Sequence, residues 1–411
     1  MLGAASAASR AMKVLMLGWE LPPRFAGGVG IVCEALTRAL ARRGLDVTYL
    51  MPQAEPNGGG RGVRVIGAER EVATLGVASR LHSYASSAPP VRIPGEAVPP
   101  DGAPLYGADL LDAVERFSAA ATTSVAAERT DFDVIHAHDW TTFPAGLALK
   151  HGSRKPLVVH VHITEFDKSG GSYADSRVFA IEQAGMRDAD LVVTVSRRIA
   201  DTCITRYGVD PSRIRVVYNG VEPDDEERGR AVPLHPLVLF LGRVTLQKGP
   251  EYFLRAARRV LEVEPKAHFV LAGSGDQLPR MVELAAELGL GRRALFPGFV
   301  DRDRAAALYA SADVFVMPSV SEPFGIVPLE AMDRGVPVIV SRQSGVSEIL
   351  RNALKVDFWD VDDLAGKIVA ALRYPGLARE LRGAGRNEVG RLSWDSVAEQ
   401  TQHVYEEIAR A

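Results

Sequence analysis

Cysteine is scarce: Cys33 and Cys203 are the only two in 411 residues. That is too few for a disulfide framework. Both sit in helix-like patterns, as reduced, packed thiols do in a reducing compartment. No apolar run approaches the roughly 18 residues that a membrane-spanning helix needs. The opening residues, MLGAASAASRAM, lack the apolar stretch of a secretory signal and read as a loose tail over residues 1–11. Met12 directly precedes the first strand-like run, so Met1 and Met12 are both candidate starts. Positive charge is not in excess either. The net charge is -3, which offers no field for nucleic acid, and no nucleic-acid partner is expected. No repeat of solenoid period occurs. The expected location is the cytoplasm.

What is present is ordinary for a soluble globular chain, with 47% hydrophobic and 24% charged residues and enough length for two domains. Val-, Ile- and Leu-rich runs of strand length alternate with amphipathic helical segments. Expected strands are Lys13–Leu17, Asp46–Met51, Asp133–His138, Leu157–His162, Leu191–Ser196 and Ile214–Asn219, then Leu237–Gly242, Ala267–Gly273, Ala294–Phe299, Val314–Ser319 and Pro337–Ser341. Runs without polar alternation imply strands buried on both faces, and intervening helices imply parallel sheets. Residues 223–236 are charged, Pro-containing and aperiodic, and read as a linker. The expected fold class is therefore α/β, with two doubly wound Rossmann-like domains facing across a cleft: residues 12–222 on the acceptor side and 237–392 on the donor side. A final helix over 393–411 has Ser393 as its N-cap. The Pro-rich stretch 85–104 reads as a surface loop.

In such sheets ligands gather at the carboxyl ends of the strands, so the residues there are the candidates. After the first strand, Gly27 and Gly28 precede a helix, an arrangement that lets backbone N–H groups approach an anion. HAHDW places His136 and His138 on one face of a strand, and HVHITEFD does the same for His160 and His162. No cysteine or carboxylate at ligand spacing completes a metal set, so no metal is expected, and a donor or positioned base near a polar ligand fits His162 better. Asp139 and Asp167, with His138, are possible acceptor-side residues. GRVTLQKGP puts Arg243 and Lys248 at a strand-to-helix junction, where two cations suit a phosphate-rich ligand. In SEPFGIVPLE, Glu322 lies in a loop, and the amides of Phe324, Gly325 and Ile326 sit before a helix that carries Glu330. Glu330 can take a vicinal diol such as a ribose, and Glu322 other hydroxyls. Together these residues match a nucleotide sugar. The Asp-x-Asp pairs at 131–133 and 360–362 read as caps or turns.

These motifs resemble the GT-B glycosyltransferases, especially family 4 retaining enzymes and the related glycogen and starch synthases. The most specific part is Glu322-x7-Glu330, supported by GRVTLQKG, YNGVE and HAHDW. The resemblance implies that Arg243 and Lys248 bind the donor diphosphate, Glu330 the ribose and Glu322 the donor sugar. It also places Gly27 and Gly28 near the phosphates, His162 at the reaction centre and Asn219 beside it. One departure is that Phe25-Ala26-Gly27-Gly28 stands where the synthases carry Lys-Thr-Gly-Gly. The expected activity is retaining transfer of a hexose, with glucose favoured, from ADP- or UDP-glucose to an acceptor hydroxyl, an α-glucan being one candidate. No cofactor is expected beyond this co-substrate. The alternatives are a nucleotide-sugar epimerase or a non-catalytic nucleotide-sugar-binding module. Arg38, Arg42 and Arg43 form a basic face on the first helix that could attach the protein to the inner membrane face.

Overall fold

The computed structural model describes residues 10–22, 27–52, 63–67, 110–168, 174–222 and 234–409. Its apolar runs pair as two parallel sheets. The first contains β1 (Lys13–Leu17), β2 (Asp46–Met51), β3 (Val63–Gly67), β4 (Val134–His138), β5 (Leu157–Val161), β6 (Leu191–Thr194) and β7 (Ile214–Val216), in the order β3-β2-β1-β4-β5-β6-β7. The strands are linked by α1 (Gly28–Arg42), α2 (Leu110–Ala127), α3 (Phe143–Ser153), α4 (Glu165–Lys168), α5 (Ser176–Asp188) and α6 (Arg197–Tyr207). Every residue of β4 and β5 is buried, the histidines of VIHAH and LVVHV included.

The second sheet contains β8 (Leu237–Leu241), β9 (His268–Ala272), β10 (Ala294–Gly298), β11 (Val314–Met317), β12 (Val338–Ser341) and β13 (Leu354–Val356), in the order β10-β9-β8-β11-β12-β13. Its helices are α7 (Pro250–Val263), α8 (Leu278–Glu287), α9 (Arg302–Ser311), α10 (Val327–Asp333), α11 (Val346–Ile349), α12 (Val361–Arg373) and α13 (Pro375–Val389). The strand order reverses beside β1 in the first sheet and beside β8 in the second, between β1 and β4 and between β8 and β11. At such switch points the loops diverge and leave a crevice.

The sequence reading did not include β3 or β13. β13 has three residues, and β3 is five residues with an exposed Arg64 at its second position, so neither gives a long apolar run. Several expected strands also stop short of their predicted ends. Residues 1–9, the loop 85–104 and linker residues 223–233 lie outside the described residues.

The last helix, α14 (Trp394–Ala409), starts where Ser393 Oγ accepts from the Ser396 amide at 3.3 Å. It buries Trp394 and Tyr405 in the core of the first sheet, against α1. The basic face of α1 is used in this docking: Arg42 bonds Asp395 at 2.8 Å and Arg43 bonds Gln402 at 3.0 Å, while Arg38 pairs with Glu34 on its own helix. The arginines considered for membrane attachment thus have protein partners. Among the described residues no helix is long and apolar enough to cross a membrane. The Asp-x-Asp pairs are local braces: Asp133 accepts from the Lys13 amide, Asp131 from Lys13 Nζ, and Asp360 caps α12.

Several contacts join the two sheets. Ser196 Oγ donates to the Pro323 carbonyl at 2.7 Å. The Glu348 carboxylate accepts from the amides of Arg197 and Arg198, both at 2.9 Å, and from Tyr218 Oη at 3.0 Å. A carboxylate from the second sheet therefore takes up the orphan amides at the start of α6.

Within the first sheet's helical layer, α5 lies so close to α3 that a Cβ on Gly185 would sit 2.4 Å from Phe143 Cδ2. Phe143 is 1% exposed and has nowhere to move. Gly185→Ala is expected to destabilise the fold by about 1–3 kcal/mol through overpacking, read as a lower urea midpoint at unchanged slope.

Candidate active site

The loops after β8 and β11 meet at the second sheet's switch point. The first runs through Arg243 into a 3-10 turn, Leu246–Lys248, and leaves through Gly249 at φ +64. Only glycine fits there, because a Cβ would lie 2.2 Å from the Pro318 carbonyl oxygen. That close approach, with the Val320 amide bonded to the Gln247 carbonyl at 2.9 Å, carries Lys248 onto the β11 loop. Lys248 Nζ donates to Glu322 Oε2, and Ser319 Oγ donates to the same oxygen at 3.3 Å. Glu322 is 6% exposed, so its charge depends on this cation. Two motifs 74 residues apart thus form one ion pair.

Glu330 lies in the first turn of α10, half-buried, and accepts from Tyr309 Oη at 2.9 Å. Burial raises its pKa, with the Tyr309 hydrogen bond opposing. Between the two glutamates, Gly325 turns at φ +100 and Phe324 is buried. The Pro323 and Phe324 carbonyls are taken by Ser196 and Val346. Among the described residues, the amides of Phe324, Gly325 and Ile326 make no hydrogen bond within the protein. They are donors open to an acceptor.

On the first sheet, the loop after β1 carries Glu20, a residue the sequence reading passed over. It is 4% exposed, and its Oε2 accepts from the Gly27 amide at 2.8 Å. A Cβ on Gly27 would lie 2.8 Å from Glu20 Oε1, so carboxylate and glycine are fitted to each other. Burial raises the Glu20 pKa, while the Gly27 amide and the charge of Arg243 lower it. Arg243 belongs to the β8 loop, so its field reaches Glu20 from the other sheet. Gly28 begins α1, which has no side-chain cap on its first amides. Asn219, just beyond β7, is 6% exposed and its Oδ1 has no partner among the described residues. A lone acid before Pro-Pro has no diagnostic spacing, so only the fold identifies Glu20.

The remaining expected residues behave differently. Asp139, at φ 56, holds the end of β5: its Oδ1 accepts from the His162 amide at 2.7 Å and the Ile163 amide at 3.4 Å. Burial pushes its pKa up to about 7. Both oxygens of Asp167 are engaged: Oδ2 accepts from Thr164 Oγ1 at 2.6 Å and Oδ1 from Ser321 Oγ at 2.9 Å. His138 is 1% exposed. In the structure the two carboxylates accept from backbone and hydroxyl donors that brace the loops, and His138 lies in the core. His162 is 6% exposed; its Nε2 lies 2.8 Å from His138 Nδ1, and its Nδ1 has no partner among the described residues. The ground for setting a metal aside also needs correction. Cys33, from α1, lies with His138 and His162 in a group whose ligand atoms are within 4.8 Å of one another. Sequence spacing cannot show a cysteine that arrives from a different element.

Comparison with known proteins gives the geometry a family. The family model for Glycosyltransferase Family 4 matches residues 26–225, and that for Glycosyl transferases group 1 matches residues 223–388. The chain is 32% identical to an uncharacterized glycosyltransferase of Methanocaldococcus jannaschii, covering 96% of this chain and 98% of that protein. It is 29% identical to a glycogen synthase of Mycobacterium tuberculosis, covering 96% and 94%. Among solved structures, a sucrose-phosphate synthase from Thermosynechococcus elongatus superposes with a TM-score of 0.76 at 24% identity, covering 97% of this chain and 99% of that one. Two switched parallel sheets, matched end to end by glycosyltransferases, place this chain in the GT-B glycosyltransferases, as an enzyme that transfers sugar.

Proposed function

We propose that the enzyme transfers a hexose, with glucose favoured, from ADP- or UDP-glucose to an acceptor hydroxyl with retention of anomeric configuration, and that the acceptor is an α-glucan or a related sugar. The observation that carries this reading is the Lys248–Glu322 pair at one switch point, facing the Glu20–Gly27 loop of the other through the charge of Arg243. The near-full-length likeness to a glycogen synthase favours glucose and a glucan.

In this reading Arg243 and Lys248 take the donor diphosphate by charge-assisted hydrogen bonds, and the amides before α10 and at the start of α1 add to them. Glu330 binds the ribose diol and Glu322 the sugar hydroxyls. Asn219 Oδ1 and His162 Nδ1, both without partners among the described residues, are the atoms left for the sugar near the reacting carbon. The acceptor oxygen attacks the anomeric carbon from the face that the diphosphate leaves. Its proton passes to the departing phosphate oxygen as the carbon–oxygen bond breaks. The leaving charge is stabilised by the two cations, in place before the reaction. Closing of the two sheets excludes water and protects the donor from hydrolysis.

The test is a screen of ADP-, UDP- and GDP-sugars with and without a glucan primer, reading nucleoside diphosphate release and the product anomer by NMR. Retained configuration with primer-dependent release supports the reading. An epimerised sugar from donor alone, or binding with no release, would replace it with one of the alternatives. Glu330→Gln is expected to raise the donor KM by about 10–100-fold, a charged hydrogen bond's worth of ~1.5–3 kcal/mol, with kcat changed much less.

A further inference from the structure

The register of the first sheet pairs His138 on β4 with His160 on β5. Because side chains alternate along a strand, His136, His138, His160 and His162 come to one face. Ring centroids are 4.3 Å apart for His136 and His138, 4.2 Å for His160 and His162, and 5.1 Å for His138 and His162. The four side chains are 0–6% exposed, and Cys33, projecting from α1, is 1% exposed.

This cluster is poorly satisfied as protein alone. His136 Nδ1 bonds Tyr405 Oη at 2.6 Å, and His138 Nδ1 bonds His162 Nε2 at 2.8 Å. Among the described residues, five buried ring nitrogens have no protein partner: His136 Nε2, His138 Nε2, both nitrogens of His160 and His162 Nδ1. Burial keeps the rings neutral. A neutral imidazole carries one N–H and one lone pair. Two hydrogen bonds therefore leave at least two of the five as lone pairs in the protein interior. Buried lone pairs on imidazole beside a thiol are the donor set of a soft or borderline metal ion.

We propose that Cys33, His138 and His162 bind one Cu(I) ion, with His136 and His160 packed behind as supporting rings. The three ligand atoms already lie within 4.8 Å of one another. Contraction by about 1 Å brings them round one ion at bond lengths of about 2.0–2.3 Å. Binding releases the Cys33 thiol proton to solvent and forms a Cu–S bond without change of oxidation state. A univalent ion with one thiolate and two neutral imidazoles has no net charge, which suits a buried site. Three protein ligands suit three-coordinate Cu(I), whereas structural zinc sites take four.

The test is anaerobic titration of the full-length protein with Cu(I) in competition with bicinchoninate, paired with X-ray absorption on the loaded protein. The expected result is uptake of one equivalent, with one sulfur and two imidazole nitrogens around the copper. Cys33→Ser should weaken binding by more than about 100-fold, beyond the loss usual for a residue that only supports a ligand. Cys203→Ser, which alters the other buried thiol, should leave binding unchanged. The absorption spectrum needs no variant, so a substitution that fails to fold does not spare the proposal. No uptake, a shell without sulfur, unaltered affinity in Cys33→Ser, or Zn(II) bound in preference under the same competition would each overturn it. A corollary rests on the proposed donor reading: the ion holds His162 away from the sugar, so loading inhibits transfer. Uptake without inhibition would refute His162's role toward the sugar and leave the copper site standing.

Discussion

Lys248→Ala lowers turnover at saturating donor by about 10²–10³-fold, ~3–4 kcal/mol of barrier. The lysine has two tasks. It neutralises charge that develops on the departing diphosphate, and it balances Glu322, which is 6% exposed. Its removal therefore leaves a buried carboxylate without its cation, and about 1–3 kcal/mol of stability should go with it. The double variant Lys248→Ala/Glu322→Gln separates these tasks. It should recover most of the lost stability, read by thermal melting, and little of the lost turnover. A single variant with a near-normal rate would remove the lysine from the transfer step.

The second large effect is on stability against pH. The four histidines have folded pKa values held well below 6.5 by burial, with His162 at about 3. The unfolded chain takes up protons on them below pH 6.5 and the folded chain does not. Stability is thus present in full above 6.5 and is lost as pH falls from there toward the folded values. At pH 5 the shift is on the order of 2 kcal/mol per ring at most, so several kcal/mol for the cluster, a large share of the stability of an ordinary domain. Glu20, Glu330, Asp139 and Glu182, all raised by burial, act in the opposite sense. Asp139 at about 7 and Glu182 at about 8 are raised above their unfolded values by burial, so they favour the folded state at low pH and lose that contribution as pH rises through 4 to 8. Stability should therefore peak near pH 6–7 and fall on both sides, the acids offsetting part of the histidine loss below 6.5. Urea midpoints of the metal-free protein at pH 5, 6.5 and 8 check this, and His160→Gln should flatten only the acid limb. Equal midpoints at pH 5 and 6.5 would contradict neutral, buried rings.

The apolar runs gave the sheet strands to within a few residues because strands buried on both faces leave a continuous signal. β1 and β2 begin and end where the sequence places them, while β3 and β13 carry too little apolar sequence to register. The candidate site was legible in parts. Arg243, Lys248, Glu322 and Glu330 stand out by residue type at strand ends, but that Lys248 bonds Glu322 follows only from the way Gly249 lets two loops touch. Glu20 and Cys33 were not legible, since each acts on residues from another element. The bracing contacts of Asp139 and Asp167 were not legible, because a carboxylate at a strand end serves a nearby amide or hydroxyl as readily as it serves a ligand.

Glu348, anchored to the first two amides of α6 and to Tyr218, has a kinematic consequence. A swing that separates the sheets while keeping those bonds must pivot close to the N-terminus of α6. Displacement then grows with distance from that pivot, so the far rim opens widest. Glu348→Ala would free the pivot to wander, and the angular spread between the two lobes, measured by paired spin labels, would broaden.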